Sequence, residues 1–326
     1  MKLATLDDGT RDGRLAIVSR DNTRVVDASA IAPTLQAALD RWDEVAPALT
    51  ARYDALCRGP VEGSSAAADA RFLAPLPRAY HWVDGSAFLN HVRLVRRARG
   101  AEMPASFLTD PLVYQGGSDT LLAHTADIAF PTTDWGIDFE AEFAVVTGDV
   151  PPRTSAADAG GYVRLVMLLN DVSLRNLIPN ELGKGFGFYL SKPPTAFAPF
   201  AVTPDELGDA WEGGRANLDV NVSWNGAWFG NPCAGPEMHF SFFDLIAHVT
   251  RTRPLGAGTI IGSGTVSNED RERGSCCIAE KRMIEKIERG AFETPFMAFG
   301  DTVEIDVERG GTSLFGTIRQ RVVQAP

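Results

Sequence analysis

The chain has 326 residues, 44% apolar and 22% charged, which excludes a coiled coil, a collagen and a disordered chain and leaves room for a large core in one or two domains. Its formal net charge of −11 argues against a nucleic-acid partner, and no stretch approaches the roughly 18 apolar residues of a membrane helix. The N-terminus carries no apolar leader, and the four cysteines make neither a disulfide framework nor a CxxC metal pair, so a soluble, cytoplasmic protein is expected.

In chain order, residues 13–19 and 23–29 read as short strands around a polar turn, and residues 34–58 as a helix capped by Thr34 and interrupted at Pro47. Residues 59–70 are rich in Gly, Ala and Ser and read as a linker. That places a small α+β N-terminal module with its linker in 1–75 and a larger catalytic domain in 76–326. Helical spacing recurs at 86–99, 156–170 and 241–250, and the basic run 93–99 reads as a face of solvated arginines. Alternating residues 219–224 run into Asn225-Gly226 and then 227–230, the strongest hairpin signal, and strands follow at 302–308 and 314–322. With no βαβ rhythm and no glycine-rich dinucleotide loop, the expected class is α+β, mainly β.

Functionally, the chain is organised around residues 136–146, GIDFEAEFAVV. A period of two sets Asp138, Glu140 and Glu142 on one face of a strand and Phe139, Ala141 and Phe143 on the other. Carboxylates at i and i+2 lie roughly 7 Å apart, close enough to reach one hard cation. Taken alone, an amphipathic strand with a solvated charged face is the commoner explanation. Three further stretches shift the balance. Asp84 precedes His91 by about two turns of a helix starting near Ser86, so the two can share one face or end of it. An apolar strand end at 167–170 delivers Asn170 and Asp171, with Arg175 shortly after. In 261–270 glycines alternate with hydroxyl residues, letting backbone N–H groups approach a ligand. Singly, Asp84 and Asp171 would be helix caps, His91 a surface or core histidine, and GSGT a turn.

Together and in this order, the DxExE strand, the NDxSxR motif, Lys192 in YLSKPP, the GSGT loop and the closing FGDTVEI resemble the fumarylacetoacetate hydrolase family over residues 79–323. Residues 279–285, AEKRMIE, are similar to its bacterial members. The resemblance implies that family's β-sandwich-roll catalytic domain and a divalent metal, Mg²⁺ or else Ca²⁺ or Mn²⁺, held by Asp84, Glu140, Glu142 and Asp171. It implies His91 as the base that activates water, with Glu280 the candidate to orient it and Lys192 as positive charge at the departing group. Arg175, Tyr114 and Thr265 are the implied substrate contacts. Several oxygen donors with negative charge are also what a hard cation requires. Three positions depart from the family pattern: Ser86 replaces an aromatic residue, Ile178 a Gln and Gly100 an Arg.

The implied function is a metal-dependent hydrolase that cleaves a C–C bond in a β-diketo acid. The first candidate is fumarylacetoacetate, giving fumarate and acetoacetate in tyrosine breakdown. The alternatives are acylpyruvate hydrolysis, oxaloacetate decarboxylation, or isomerisation or hydration of an aromatic ring-cleavage product; outside enzymes, the alternative is a metal-stabilised binding protein. The expected partners are a small keto or diketo acid and a second copy of the chain, since the resemblance implies a homodimer. The apolar stretches 243–249 and 295–299 are candidates for its surface.

Overall fold

The structure, a computed structural model, describes residues 1–98 and 102–325. Arg99 and Gly100 therefore lie outside the described residues. Strand β1 (Lys2–Leu6) pairs antiparallel with Arg14–Val18, which pairs with Arg24–Asp27, and Ser64–Ala66 forms the edge. On its other side β1 pairs with Ala201–Val202, so the N-terminal strands continue the sheet of the rest of the chain. The strands that carry the site are β2 (Trp82–Gly85), β3 (Ala141–Thr147), β4 (Val163–Asn170) and β5 (Ile260–Gly262). Beyond Ala201–Val202 the order is β4, β3, β5, β2 and Val113–Gln115. β3 runs antiparallel to both neighbours, while β5 and β2 are parallel.

β3 and β4 are nearly continuous apolar runs because both of their faces are covered. Phe143, Val145, Val166 and Leu168 pack on a second, five-stranded sheet through Val222, Val303, Ile305 and Ile318. The opposite face, with Ala144, Val146, Leu165 and Met167, takes Leu35, Leu39, Leu49 and Leu56 from helices Leu35–Leu39 and Trp42–Arg58. The second sheet contains the hairpin Asn221–Trp224/Ala227–Gly230, whose Asn225 and Gly226 have φ of 54° and 73°, as a tight hairpin turn requires. The result is a mixed α+β fold with more strand than helix.

Several elements differ from the sequence pattern. The α-helix Ala156–Ala159 runs on only as a 3-10 turn, Gly160–Tyr162, and Val163–Asn170 is a strand, since a run buried on both faces carries no period that separates helix from strand. The helical break falls at Arg41, and Pro47 lies inside Trp42–Arg58. Proline costs a helix interior about 3 kcal/mol; burial of Val45, Leu49, Tyr53 and Leu56 offsets it. The linker stretch includes the edge strand Ser64–Ala66. Asp84 sits on a strand, and helix α1 (Leu89–Ala98) starts only after it. Within 243–249, Leu245 and Ile246 are buried in the chain's own core, whereas Phe299 is exposed.

Candidate metal centre and catalytic site

The acidic stretch does not run as one strand. Ile137–Asp138 pairs with Ser173–Leu174, and from Glu140 onward the chain changes partner to β4, beginning with a 2.9 Å hydrogen bond from Asp171 N–H to the Glu140 carbonyl. Asn170 fixes the switch: its Oδ1 accepts the Glu140 N–H at 2.9 Å and its amide donates to Gln320 at 2.8 Å. Glu140 and Glu142 consequently line a cavity, while Asp138 turns toward helix α2 (Ile278–Arg289). None of the three is solvated as the amphipathic reading supposed, for all are buried.

β2 brings Asp84 level with Gly262 of β5. A Cβ on Gly262 would lie 2.3 Å from Asp84 Oδ1, so glycine is what lets the carboxylate stand there. The same oxygen accepts the Gly264 N–H at 2.9 Å. One carboxylate oxygen each from Asp84, Glu142 and Asp171 falls within 4.8 Å of the others. Asp171 is held by Tyr114 O–H at 2.6 Å, Thr195 O–H at 2.7 Å and Lys192 Nζ at 2.6 Å. Both oxygens of Glu142 are buried without a hydrogen-bond partner among the described residues.

A buried carboxylate without donors is costly, and three clustered acids repel one another. Burial, with Asp171 adding repulsion, pushes the Asp84 carboxyl up to about 8. Burial and then Asp84 raise Glu142 well above the carboxylate range. The cluster lacks positive charge and offers three converging oxygens, and a divalent cation supplies the first and uses the second. The donor set therefore fits a divalent metal.

Glu140 has a different environment. Arg175 donates to its Oε1 and Lys192 Nζ to its Oε2 at 2.5 Å. Burial alone would raise Glu140, but Arg175 and Lys192 outweigh it and hold the carboxyl below its usual range. Burial likewise opposes the charge on Lys192, yet Asp171 and Glu140 hold its pKa above that of an ordinary lysine. Glu140 thus stands beside the triad, engaged by two cations.

His91, on α1, opens into the same cavity, and its Nδ1 lies 3.1 Å from Oε2 of the fully buried Glu280 on α2. The cavity, of about 130 Å³, is also lined by Tyr114, Lys192, Arg175 and Thr265. Its outer wall is Phe88, Val92, Ile178, Phe188 and Ser86. A larger cavity of about 490 Å³ lies against Lys2, Arg20 and Glu206. There Arg20 is paired with Glu206 and Lys2 is hydrogen-bonded to Asn22, and no cluster of carboxylates like the triad lines it. Sequence reasoning missed Thr195 and Phe188. A threonine three residues after Lys192 and an aromatic in a glycine-rich stretch carry no local signal of a shared site.

Residues 80–323 match the family model "Fumarylacetoacetate (FAA) hydrolase C-terminal", and residues 1–78 match "Fumarylacetoacetase N-terminal domain 2". The 2,4-didehydro-3-deoxy-L-rhamnonate hydrolase of Sphingomonas sp. (strain SKA58) is 26% identical over 209 residues, 63% of this chain and 64% of that protein. The mitochondrial oxaloacetate tautomerase FAHD2B of Homo sapiens is 24% identical over 299 residues, 88% of this chain and 82% of that protein. Maleylpyruvate hydrolase from Sphingobium sp. SYK-6, solved with manganese(II) and pyruvate, superposes over 100% of both chains with a TM-score of 0.67 at 17% identity, a likeness of fold. Hydrolase and tautomerase chemistry both occur among the relatives, while the family models account for nearly the whole length. The chain belongs to the fumarylacetoacetate hydrolase family.

Proposed function

We propose that this protein is a divalent-metal-dependent hydrolase that cleaves the C–C bond of a β-diketo acid, with fumarylacetoacetate the first substrate to test. The observation that carries the reading is the His91–Glu280 pair opening into the cavity that holds the Asp84, Glu142 and Asp171 carboxylates. Mg²⁺, Ca²⁺ or Mn²⁺ would be held by these three with Glu140 beside them, and would supply a Lewis acid for two neighbouring carbonyl oxygens. The manganese in the maleylpyruvate hydrolase structure supports this choice of ion.

The chain's own groups do the rest. With Nδ1–H donated to Glu280, the imidazole presents a bare Nε2, and Glu280 stabilises the charge that forms when Nε2 takes a proton from water. The water oxygen adds to the carbonyl carbon, and the C–C electron pair leaves with the departing fragment. Lys192 holds positive charge where that fragment becomes anionic. Arg175, anchored by Asp138 and Glu140, and the Thr265 hydroxyl line the same space for the substrate's carboxylate and keto oxygens. Tyr114 restrains Asp171, and its hydroxyl stays protonated because burial and then Asp171 raise its pKa well above 10.

A second reading has a specific basis. Ser86 and Ile178, two departures from the family pattern, both line the cavity wall, and the relative with 88% coverage of this chain is named an oxaloacetate tautomerase. The same pair of groups would then shuttle a proton on a keto acid without cleavage. Turnover of fumarylacetoacetate, acylpyruvates and oxaloacetate, each with Mg²⁺ and with chelator, decides between them. Metal-dependent release of fumarate and acetoacetate is the expected result, and oxaloacetate enol–keto conversion without cleavage of any diketo acid would replace it. The protein is proposed to work as a homodimer, which sedimentation in solution tests.

A further inference from the structure

We infer that Asp138 is a positioning residue that sets the His91–Glu280 pair against the carboxylate end of the cavity, an inference that rests on the base assignment above. Asp138 is fully buried, does not line the cavity that holds His91 and, among the described residues, is not one of the clustered carboxylates. Its Oδ1 accepts the N–H of Ile278 at 2.7 Å, and its Oδ2 accepts the N–H of Ala279 at 2.9 Å and Nε of Arg175 at 2.8 Å.

Ile278 and Ala279 are the first two residues of α2, whose opening N–H groups have no partner inside the helix. A carboxylate from another part of the chain satisfies them and suits the positive end of the helix. The Cys277 sulfur takes the next N–H, that of Glu280, at 3.3 Å. The backbone leading into Glu280 is thus pinned at three successive N–H groups. In the other direction, Arg175 spends one arm on Asp138 and another on Glu140. One buried carboxylate therefore ties the residue that orients the base, far along the chain, to a carboxylate beside the cation ligands. One link runs through the first N–H groups of α2 and the other through the Arg175 guanidinium.

Asparagine has the same shape but cannot reproduce this. Its amide offers one acceptor oxygen, and its NH₂ would face a donor. With the amide oxygen at the Oδ2 position the Ile278 N–H loses its acceptor, and with it at the Oδ1 position Ala279 and Arg175 lose theirs; either way the start of α2 loses an anchor, and Glu280 would shift with it. Displacing a catalytic group by about 1 Å costs on the order of 10²-fold in rate.

The test is a double-mutant cycle of D138N and E280Q on full-length protein. It is read in kcat and KM with fumarylacetoacetate, or with oxaloacetate if only that is turned over, and in Mn²⁺ affinity by calorimetry. D138N is expected to lower kcat about 10²-fold, with Mn²⁺ affinity within about threefold of wild type. In the E280Q background it should cost less than about threefold more, because its route of action is already broken. In metal-free protein, D138N should also shift the His91 Nδ1–H resonance, assigned by its loss in H91A. An equal kcat loss in both backgrounds, or an unmoved resonance, overturns the inference and makes Asp138 a general stabiliser. E280Q with wild-type kcat would instead overturn the base assignment. If D138N does not fold, D138E keeps the charge, moves the carboxylate by one methylene and is read by the same cycle.

Discussion

Glu142 and Asp138 lie four positions apart, both fully buried, and they have opposite surroundings. Asp138 has a donor for each part of its carboxylate, two from a helix start and one from Arg175. Glu142 has none. A satisfied buried carboxylate belongs to the architecture. An orphaned one, facing two more acids, marks a place for a positively charged ligand. The difference arises where the chain leaves its short pairing with Ser173–Leu174 and joins β4. That switch sends one acid of an alternating motif toward a helix and the others toward a cavity.

The most severe way to break the contrast is to neutralise the orphan. E142Q is expected to reduce turnover by about 10³-fold or more, since the cation loses a charged ligand and its Lewis acidity is worth several kcal/mol. The same variant should raise the melting temperature in chelator, because an uncompensated buried carboxylate becomes a neutral amide. A melting temperature that falls, with activity retained, would show that Glu142 is not a ligand position. Next in size is H91A, expected to lower kcat by about 10²–10⁴-fold with Mn²⁺ affinity unchanged, as removal of a general base does. Wild-type turnover in metal-loaded H91A would end the base assignment.

These comparisons also separate what was legible in the sequence from what was not. The alternation of acids around Phe139 and Ala141 was visible because strand periodicity is local. The partner switch was invisible, because it depends on where β4 ends. His91 could be singled out from its spacing to Asp84, yet the two sit on different elements, a helix and a strand. Glu280 could only be a candidate: its contact with His91 spans 189 positions, and no local pattern encodes such a pairing. Of the strand 163–170 only the end at 167–170 was legible, since burial on both faces erases the period that would separate the rest from helix. The hairpin at Asn225-Gly226 was fully legible because its turn chemistry is contained in two residues.

The contrast has a pH signature of moderate size. Asp84 rises to about 8 through burial and the nearby Asp171, against about 4 in an unfolded chain. Between those values the folded, metal-free protein binds more protons than the unfolded chain, so its stability falls as pH rises from about 4 to 8. Melting in chelator should therefore occur at a lower temperature at pH 8 than at pH 5.5. Mg²⁺ favours the ionised carboxylates, so at pH 8 it should restore stability, by about 2.7 kcal/mol at a hundredfold excess over its Kd. Melting in chelator that is independent of pH would contradict the raised carboxyls.

The smallest effect concerns a third carboxylate, which is satisfied like Asp138 and holds the residues that follow the cavity-lining Phe188. Glu181 accepts the N–H groups of Tyr189, Leu190 and Ser191 at 3.0, 2.7 and 3.1 Å, together with the Ser191 hydroxyl. This gathers a glycine-rich segment whose Phe188, at φ 63°, places its ring 5.4 Å from that of Tyr114. A non-glycine residue holds positive φ only when its surroundings impose it. E181Q keeps the shape but weakens charge-assisted acceptance, by about 1–2 kcal/mol in a partly exposed site. Phe188 touches no proton that moves, so the loss should appear as a KM raised about three- to tenfold with kcat within about twofold. A fall in kcat with KM unchanged would mean that the segment does more than close the wall, and would place Phe188 nearer the chemistry than its packing on Tyr114 suggests.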